Sequence, residues 1–178
     1  MMQFVEFPKI HRLYRQVVVT EKIDGTNACV IVTEDGQVGA QSRSRVITPA
    51  DDNYGFAAWV AAHAGELREL GPGHHFGEWW GQGIQRKYGL TEKRFSLFNV
   101  ARWRESRPLC CHVVPVLKTG DPEDGFDVVE EALAHLRVCG SMAAPGFAKP
   151  EGIVAYHAPS NALFKVTLER DQEPKGRA

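Results

Sequence analysis

The sequence predicts an α+β fold in which antiparallel β-hairpins are combined with a few helices. Three observations favour this class: β-branched runs separated by turn residues in the first third of the chain, two segments with apolar residues at helical spacing, and a second strand pair near the carboxyl end. Hairpins and helices therefore follow one another in a mixed order, which is typical of the α+β class.

A first strand is predicted over residues 17–20, and a hairpin follows over residues 28–43. Residues 17–20 form a β-branched run, residues 28–33 form a second strand, and residues 34–37 (EDGQ) have turn chemistry. The segment VGAQSR then returns as the other strand of the hairpin.

Two helices interrupt the strands. The first is predicted over residues 54–70 and ends at Gly71-Pro72, whereas the second is opened by Asp121-Pro122 and ended by Gly140. Apolar residues at helical spacing mark them: Phe56, Trp59, Val60, Ala64, Leu67 and Leu70 in the first helix, and Val128, Val129, Ala132, Leu133 and Leu136 in the second.

The remaining apolar segments are predicted to be strands. Between the helices these are HHFGEWW, FSLFNVARW and HVVPVL. Pro115 in the last of them indicates an edge strand or an irregularity, because proline cannot donate to a β-ladder. EGIVAY and ALFKVTL form the final strand pair across the turn 158–161.

Length and composition predict one domain over residues 1–170, followed by a charged tail over residues 171–178. No apolar run approaches the ~20 residues that a membrane span needs, and the N-terminus lacks a signal-peptide pattern.

The net charge of −1 disfavours a protein that coats nucleic acid non-specifically, although a local basic groove is compatible with it. The four cysteines lack C-x-x-C spacing, which favours reduced thiols and a cytoplasmic location.

Residues 21–27, EKIDGTN, lie where a predicted strand ends and a hairpin begins. Side chains alternate along a strand, so we expect Lys22 and Asp24 on the same face, and Gly25 can adopt backbone conformations that other residues resist. A lysine acts as a nucleophile only after it loses its proton, which a cationic and partly desolvated pocket favours. Taken alone, K-x-D-G is short, and a surface lysine in a charged turn explains it equally well.

EKIDGTN resembles motif I of the ATP-dependent RNA ligases, in the branch that includes the RNA-editing ligases. These enzymes are covalent nucleotidyltransferases, as are other polynucleotide ligases and the mRNA capping enzymes. The resemblance implies that Lys22 forms a covalent lysyl-AMP. It also implies that Glu21, Asp24 and Asn27 belong to the nucleotide-binding site.

Three further segments resemble motifs that contact the nucleotide. Arg43, with Arg45 as the alternative, stands about where the family carries an arginine near the nucleotide. Glu78, in FGEW, resembles the motif III glutamate that contacts the ribose, because a carboxylate can accept hydrogen bonds from the ribose hydroxyls. Phe98, in FSLFNV, resembles the motif IIIa aromatic residue that stacks on adenine, although Asn99 replaces the family's usual aspartate.

Two segments near the carboxyl end resemble motifs that serve the metal and the phosphates. Glu151, in PEGIV, resembles the motif IV glutamate that helps to organise a divalent metal, which implies a catalytic role. Lys165, in FKVT, resembles the first lysine of motif V, K-x-K, and is implied to act both in catalysis and in nucleotide binding. Thr167 holds the position of the second lysine, and Lys175 is a candidate to supply the missing charge.

The resemblance implies the nucleotidyltransferase fold of a ligase adenylation domain, an ATP-grasp-like core of antiparallel sheets flanked by helices. It implies ATP and Mg²⁺ or Mn²⁺ as cofactors, and nucleic acid as substrate, as RNA ends or a nicked duplex. Lysyl-AMP would form first, AMP would pass to a 5′-phosphate end, and a 3′-hydroxyl would then seal the strand. Without the clamp domain that family members usually carry, we expect either weak binding of nucleic acid or a partner protein in its place, and no membrane association.

Two alternatives remain open. A DNA nick ligase or a guanylyltransferase would use the same core, but EKIDGTN favours the RNA-ligase branch, because the DNA-ligase motif typically has a basic residue soon after the glycine. A non-catalytic nucleotide-binding module is the alternative of a different class, and the threonine at position 167 permits it.

Overall fold

The computed structural model describes residues 3–13, 15–120 and 127–169, so the predicted Asp121-Pro122 helix start, the tail 171–178 and Lys175 lie outside the described residues. Within these ranges the strands are β1 (Val17–Lys22), β2 (Thr26–Val32), β3 (Val38–Ser42), β4 (Val46–Ile47), β5 (Gly73–Gly81), β6 (Lys93–Leu97), β7 (Cys111–Val113), β8 (Val116–Gly120), β9 (Gly152–His157) and β10 (Ala162–Thr167). The helices are α1 (Phe56–Ala62), α2 (Ala64–Leu67), α3 (Val100–Trp103) and α4 (Asp127–Cys139), with 3₁₀ turns at Arg68–Leu70 and Ala158–Ser160.

The smaller sheet has the strand order β10-β9-β1-β8, and all of its neighbouring strands are antiparallel. The amphipathic helix α4 covers one face, where its buried residues Leu133 and Leu136 share a core with Val17 and Val19 of β1 and Ile153 of β9. Because side chains alternate along a strand, Lys22 is directed to the opposite face of this sheet.

The larger sheet has the order β4-β3-β2-β5-β6-β7, antiparallel except for the parallel pair β6 and β7. Helix α1 and the turns that follow it cover one face, where Phe56 and Leu67 pack with Val30, Trp79 and Phe95. The face opposite this core presents the alternate residues of β2 and β5, which include two of the predicted site residues, Asn27 and Glu78.

The two sheets join where the chain leaves β1 and enters β2. Ile23, in this short connection, packs with Trp80, Tyr88, Val114 and Ala144 in a third apolar cluster. The predicted nucleophile, at the last position of β1, is therefore placed at the boundary between the two sheets. Among the described residues, no helix is long and apolar enough to cross a membrane.

The α+β class is confirmed, as are the hairpin of β2 and β3, helix α4 and the final strand pair of β9 and β10. The prediction that FSLFNVARW is one strand is wrong in its second half. Strand β6 ends at Leu97, and Asn99 caps the short helix α3 by accepting a hydrogen bond from the Arg102 backbone N–H over 3.1 Å.

Three other predictions are corrected. HVVPVL is divided between β7 of the larger sheet and β8 of the smaller one, with Pro115 between them. The helix predicted over 54–70 is broken at His63, whose backbone φ of −107° is not helical. The returning strand VGAQSR ends at Ser42, so Arg43 lies in the turn that leads to β4 rather than on the strand.

Candidate active site

Lys22 and Glu151 form the centre of the site, although 129 positions separate them in the sequence. Lys22, at the end of β1, pairs with Gly152, at the start of β9, and this register brings the residue before Gly152 alongside the lysine. The Lys22 Nζ donates a hydrogen bond to Glu151 Oε2 over 2.5 Å. The Glu151 carboxylate is buried and the lysine side chain is 22% exposed, so the lysine is partly accessible to solvent while its partner is not.

Glu78 lies on β5 of the larger sheet, directly opposite Asn27 of the neighbouring β2. Its carboxylate accepts hydrogen bonds from the Gly25 backbone N–H over 3.1 Å and from Asn27 Nδ2 over 3.3 Å. Burial raises the pKa of Glu78 to about 7, and the positive charge of Lys22 acts in the opposite direction. A Cβ at position 25 would lie 2.5 Å from the Trp79 carbonyl oxygen, so the close approach of this loop to β5 requires glycine.

Asp24 lies in the connection between β1 and β2. Because it is not in a strand, side-chain alternation does not place it on the same face as Lys22, as the sequence had predicted. Its backbone N–H donates to the Tyr88 hydroxyl over 2.8 Å, and its carboxylate accepts from Arg86 Nε over 3.1 Å. Sequence reasoning did not identify Arg86 or Tyr88. The only sequence signal for them is the glycine-bounded segment GQGIQRKYG between two strands of the site.

The Glu21 carboxylate does not join this group. It lies on the α4 side of β1 and accepts hydrogen bonds from Ser141 Oγ over 2.6 Å, from the Met142 N–H over 2.8 Å and from the Ala143 N–H over 2.9 Å. Burial raises the pKa of Glu21, against these hydrogen bonds. The side chain therefore anchors the segment after α4, and its contacts do not support the predicted part in nucleotide binding.

The predicted stacking residue Phe98 borders a separate cavity of about 180 Å³. Phe98 is 40% exposed, and its backbone N–H donates to the Phe76 carbonyl, which continues the β5–β6 ladder by one residue. Phe76, Asn27 and Arg43 also line this cavity. Arg45 instead pairs with Asp51 over 2.8 Å, so the structure favours Arg43 over its alternative.

The strand register also locates the two motif V positions. Thr167 of β10 is opposite Gly152 of β9, which is opposite Lys22 of β1, so these residues form one row across the sheet. Lys165 lies two rows further along, on the same face, and is exposed. With strands ~4.8 Å apart, the Cα atoms of Lys22 and Thr167 are separated by roughly 10 Å. The threonine hydroxyl donates to the Glu169 carbonyl over 2.9 Å.

The carboxylates of the site fit a metal ion that arrives with a nucleotide better than a permanently bound one. Within the described ranges, no group of three or more His, Cys, Asp and Glu side chains could hold a metal ion. Mg²⁺ commonly uses one or two protein carboxylates, with phosphate oxygens and water as its other ligands. The Glu151 carboxylate, which accepts a hydrogen bond from the Lys22 ammonium, fits that requirement.

Comparisons with known proteins identify the class and the family. The chain is similar to solved structures of Naegleria gruberi RNA ligase. For a substituted form without nucleotide the TM-score is 0.62 at 20% identity, over 86% of this chain and 49% of that chain. For a substituted form with ATP and Mn the TM-score is 0.64 at 20% identity, and the match covers 88% of this chain and 51% of that chain. The fold is therefore that of an RNA ligase adenylation domain.

The RNA ligase family model matches residues 15–167, and the chain belongs to this family. It spans about half the length of the ligase structures that it resembles. No curated protein sequence matches the chain.

Proposed function

We propose that this chain is the catalytic domain of an ATP-dependent RNA ligase in which Lys22 carries AMP covalently. The observation that carries the proposal is the hydrogen-bonded pair of Lys22 and the buried Glu151, which lies beside Glu78 in a chain of the RNA ligase family. A DNA ligase or a guanylyltransferase would use the same lysine, so the lysine alone does not distinguish the substrates. Membership of the RNA ligase family supports RNA as the substrate.

In the first step, Lys22 Nζ forms a bond to the α-phosphorus of ATP, and the bond from that phosphorus to the pyrophosphate oxygen breaks. The ammonium must first lose its proton, and the Glu151 carboxylate, at 2.5 Å, is within reach to accept it and pass it to water. Phosphoryl transfer depends mainly on positioning and charge neutralisation. The register of β1 and β9, which holds these two side chains together, supplies the positioning.

The larger sheet would bind the nucleoside. Phe98 offers an exposed ring face for adenine, with Arg43 and Asn27 on the same cavity, and Glu78 offers a carboxylate to the ribose hydroxyls. Ligase structures similar to this chain contain ATP or AMP together with Mn, which supports ATP and a divalent metal here as well. Glu151 would hold that metal, which neutralises phosphate charge when bound.

Lys165 would add a fixed positive charge near the phosphates, because it lies on the same face of the sheet as Lys22. After the lysyl-AMP forms, AMP would pass to the 5′-phosphate of an RNA end. The 3′-hydroxyl of a second end would attack the activated phosphate, seal the strand and release AMP. The proposed biological role is therefore the joining of RNA ends, as in RNA repair.

The test is incubation of the full chain with radiolabelled ATP and Mg²⁺, followed by a denaturing gel and intact mass measurement. Wild-type protein should gain one adenylate, whereas Lys22→Ala should gain none. Lys118→Ala is the matched control, because Lys118 lies on β8 of the same sheet and pairs with Glu131 of α4 on the opposite face.

Each other outcome overturns part of the proposal. Labelling of Lys22→Ala would reject the nucleophile, equal labelling by GTP would favour a capping enzyme, and an unlabelled wild-type protein would favour a nucleotide-binding module. Sealing of nicked DNA but not of RNA by the labelled protein would reject the RNA substrate.

A further inference from the structure

The loop between β5 and β6 has an unusual backbone. Of the five residues other than glycine with positive φ in the described part of the chain, three lie here: Gln85 at 43°, Lys87 at 59° and Tyr88 at 51°. Such conformations are strained for residues with a side chain and persist only where the surrounding structure enforces them. This loop is therefore held in one shape by its contacts.

Tyr88 provides the enforcing contacts. Its ring is buried and packs edge-on against Trp80 with centroids 5.0 Å apart, and against Phe147 at 4.7 Å. Its hydroxyl accepts the hydrogen bond from the Asp24 N–H. By fixing the shape of the loop, Tyr88 places Arg86, two residues earlier, where three segments of the candidate site meet.

The Arg86 guanidinium contacts all three of these segments. Nε donates to Asp24 Oδ2 over 3.1 Å, Nη1 donates to the Lys149 carbonyl over 3.0 Å, and Nη2 lies 3.9 Å from Glu169 Oε2. Each partner is two residues from a site position: Asp24 follows Lys22, Lys149 precedes Glu151, and Glu169 follows Thr167.

We infer that Arg86 is a positioning residue for adenylylation, which holds the Lys22 segment and the Glu151 segment in the register that joins their side chains. The inference rests on the proposed function. Arginine suits this task because its planar fork donates in several fixed directions at once, whereas a lysine ammonium is a point charge on a flexible stem. The contacts of Arg86 lie on the segments that flank the reacting side chains, so its effect is exerted through Lys22 and Glu151.

The test compares Arg86→Ala and Arg86→Lys with wild-type protein in single-turnover adenylylation across a range of ATP concentrations. A small misplacement of reacting groups can cost about 10²-fold in rate. Arg86→Ala should therefore lower the rate constant at saturating ATP by about 10²-fold, while the half-saturating ATP concentration stays near the wild-type value. Arg86→Lys keeps the charge facing Asp24 but not the planar fork of donors. Its rate constant at saturating ATP should lie between those of Arg86→Ala and the wild-type protein.

Arg94→Ala is the matched control. The Arg94 side chain is 25% exposed against 26% for Arg86, and it pairs with its near neighbour Glu92 over 2.6 Å. We expect it to adenylylate at the wild-type rate, with a thermal unfolding midpoint similar to that of Arg86→Ala.

Three outcomes would overturn the inference: Arg86→Ala reacting as fast as Arg94→Ala, a rise in half-saturating ATP without a change in rate constant, or a failure of Arg86→Lys to recover any rate in a folded protein. If wild-type protein is not labelled at all, the proposed function fails instead, so the two failures are distinguishable.

Discussion

The two sheets of this domain contribute different chemistry to the site. The four-stranded sheet carries the charged groups suited to act on phosphate, Lys22, Glu151 and Lys165, whereas the six-stranded sheet carries Glu78 and the edge of the cavity at Phe98. Each sheet has its own apolar core on the face away from the site. Under the proposed function, this division predicts that catalysis and nucleotide recognition can be altered separately, because the two sets of side chains rest on separately packed layers.

The largest effect is expected on the four-stranded sheet. Lys165→Ala should lower the adenylylation rate constant at saturating ATP by about 10²-fold or more, because a fixed charge near the transferring phosphoryl group is removed. Lys118→Ala, on the opposite face of the same sheet, should react like wild type. Rapid-quench measurements of both variants check this, and a normal rate for Lys165→Ala would reject the motif V assignment.

A smaller effect, on affinity rather than rate, is expected on the six-stranded sheet. Loss of a stacking ring costs ~1–3 kcal/mol, so Phe98→Ala should raise the half-saturating ATP concentration by about 5- to 150-fold. Phe164→Ala removes another exposed ring, from the smaller sheet, and should not change ATP use. A fall in rate constant with unchanged half-saturation in Phe98→Ala would contradict the separation of recognition from catalysis.

The smallest effect concerns the pH dependence of stability through Glu78. Its pKa is raised from 4.5 to about 7, so between these values the folded state binds more protons than the unfolded state. The free energy of unfolding of the wild-type protein therefore falls as pH rises through this window. Glu78→Gln has no such titration, so its free energy of unfolding should not fall in this window. The difference in free energy of unfolding between Glu78→Gln and wild type should therefore increase by about 1 to 3 kcal/mol from pH 5 to pH 8.

Urea unfolding of both proteins at several pH values measures this difference. A stability difference that does not change with pH would show that Glu78 ionises in the folded protein as it does in the unfolded chain.

Local patterns in the sequence predicted a large part of this molecule. The β-branched runs and the turn at 34–37 predicted the β2–β3 hairpin, and the apolar spacing predicted α4. The short motifs also indicated Lys22, Glu78 and Glu151, which the structure brings together. The strand prediction failed at FSLFNVARW, because its apolar residues concealed a helix cap at Asn99.

The contacts that sequence reasoning did not anticipate are those between residues far apart in the chain. Arg86 and Tyr88 contact Asp24 from 62 and 64 positions away, and Glu21 contacts Ser141 from 120 positions away. No local periodicity encodes such pairs. Glu21 and Lys22 are adjacent in one motif, yet alternation along β1 directs them to opposite faces, one toward the segment after α4 and the other toward the site.

The sequence by itself determined the hairpins, the amphipathic helix and the order of the candidate motifs, because backbone preferences and apolar periodicity act over a few residues. Only the tertiary structure decided which carboxylate meets Lys22 and which arginine supports it. The pairing of β1 with β9 joins segments about 130 positions apart, and packing of their shared apolar face against α4 selects the register. A slip of one residue would turn Lys22 toward that core, so the contact with Glu151 depends on the assembled sheet.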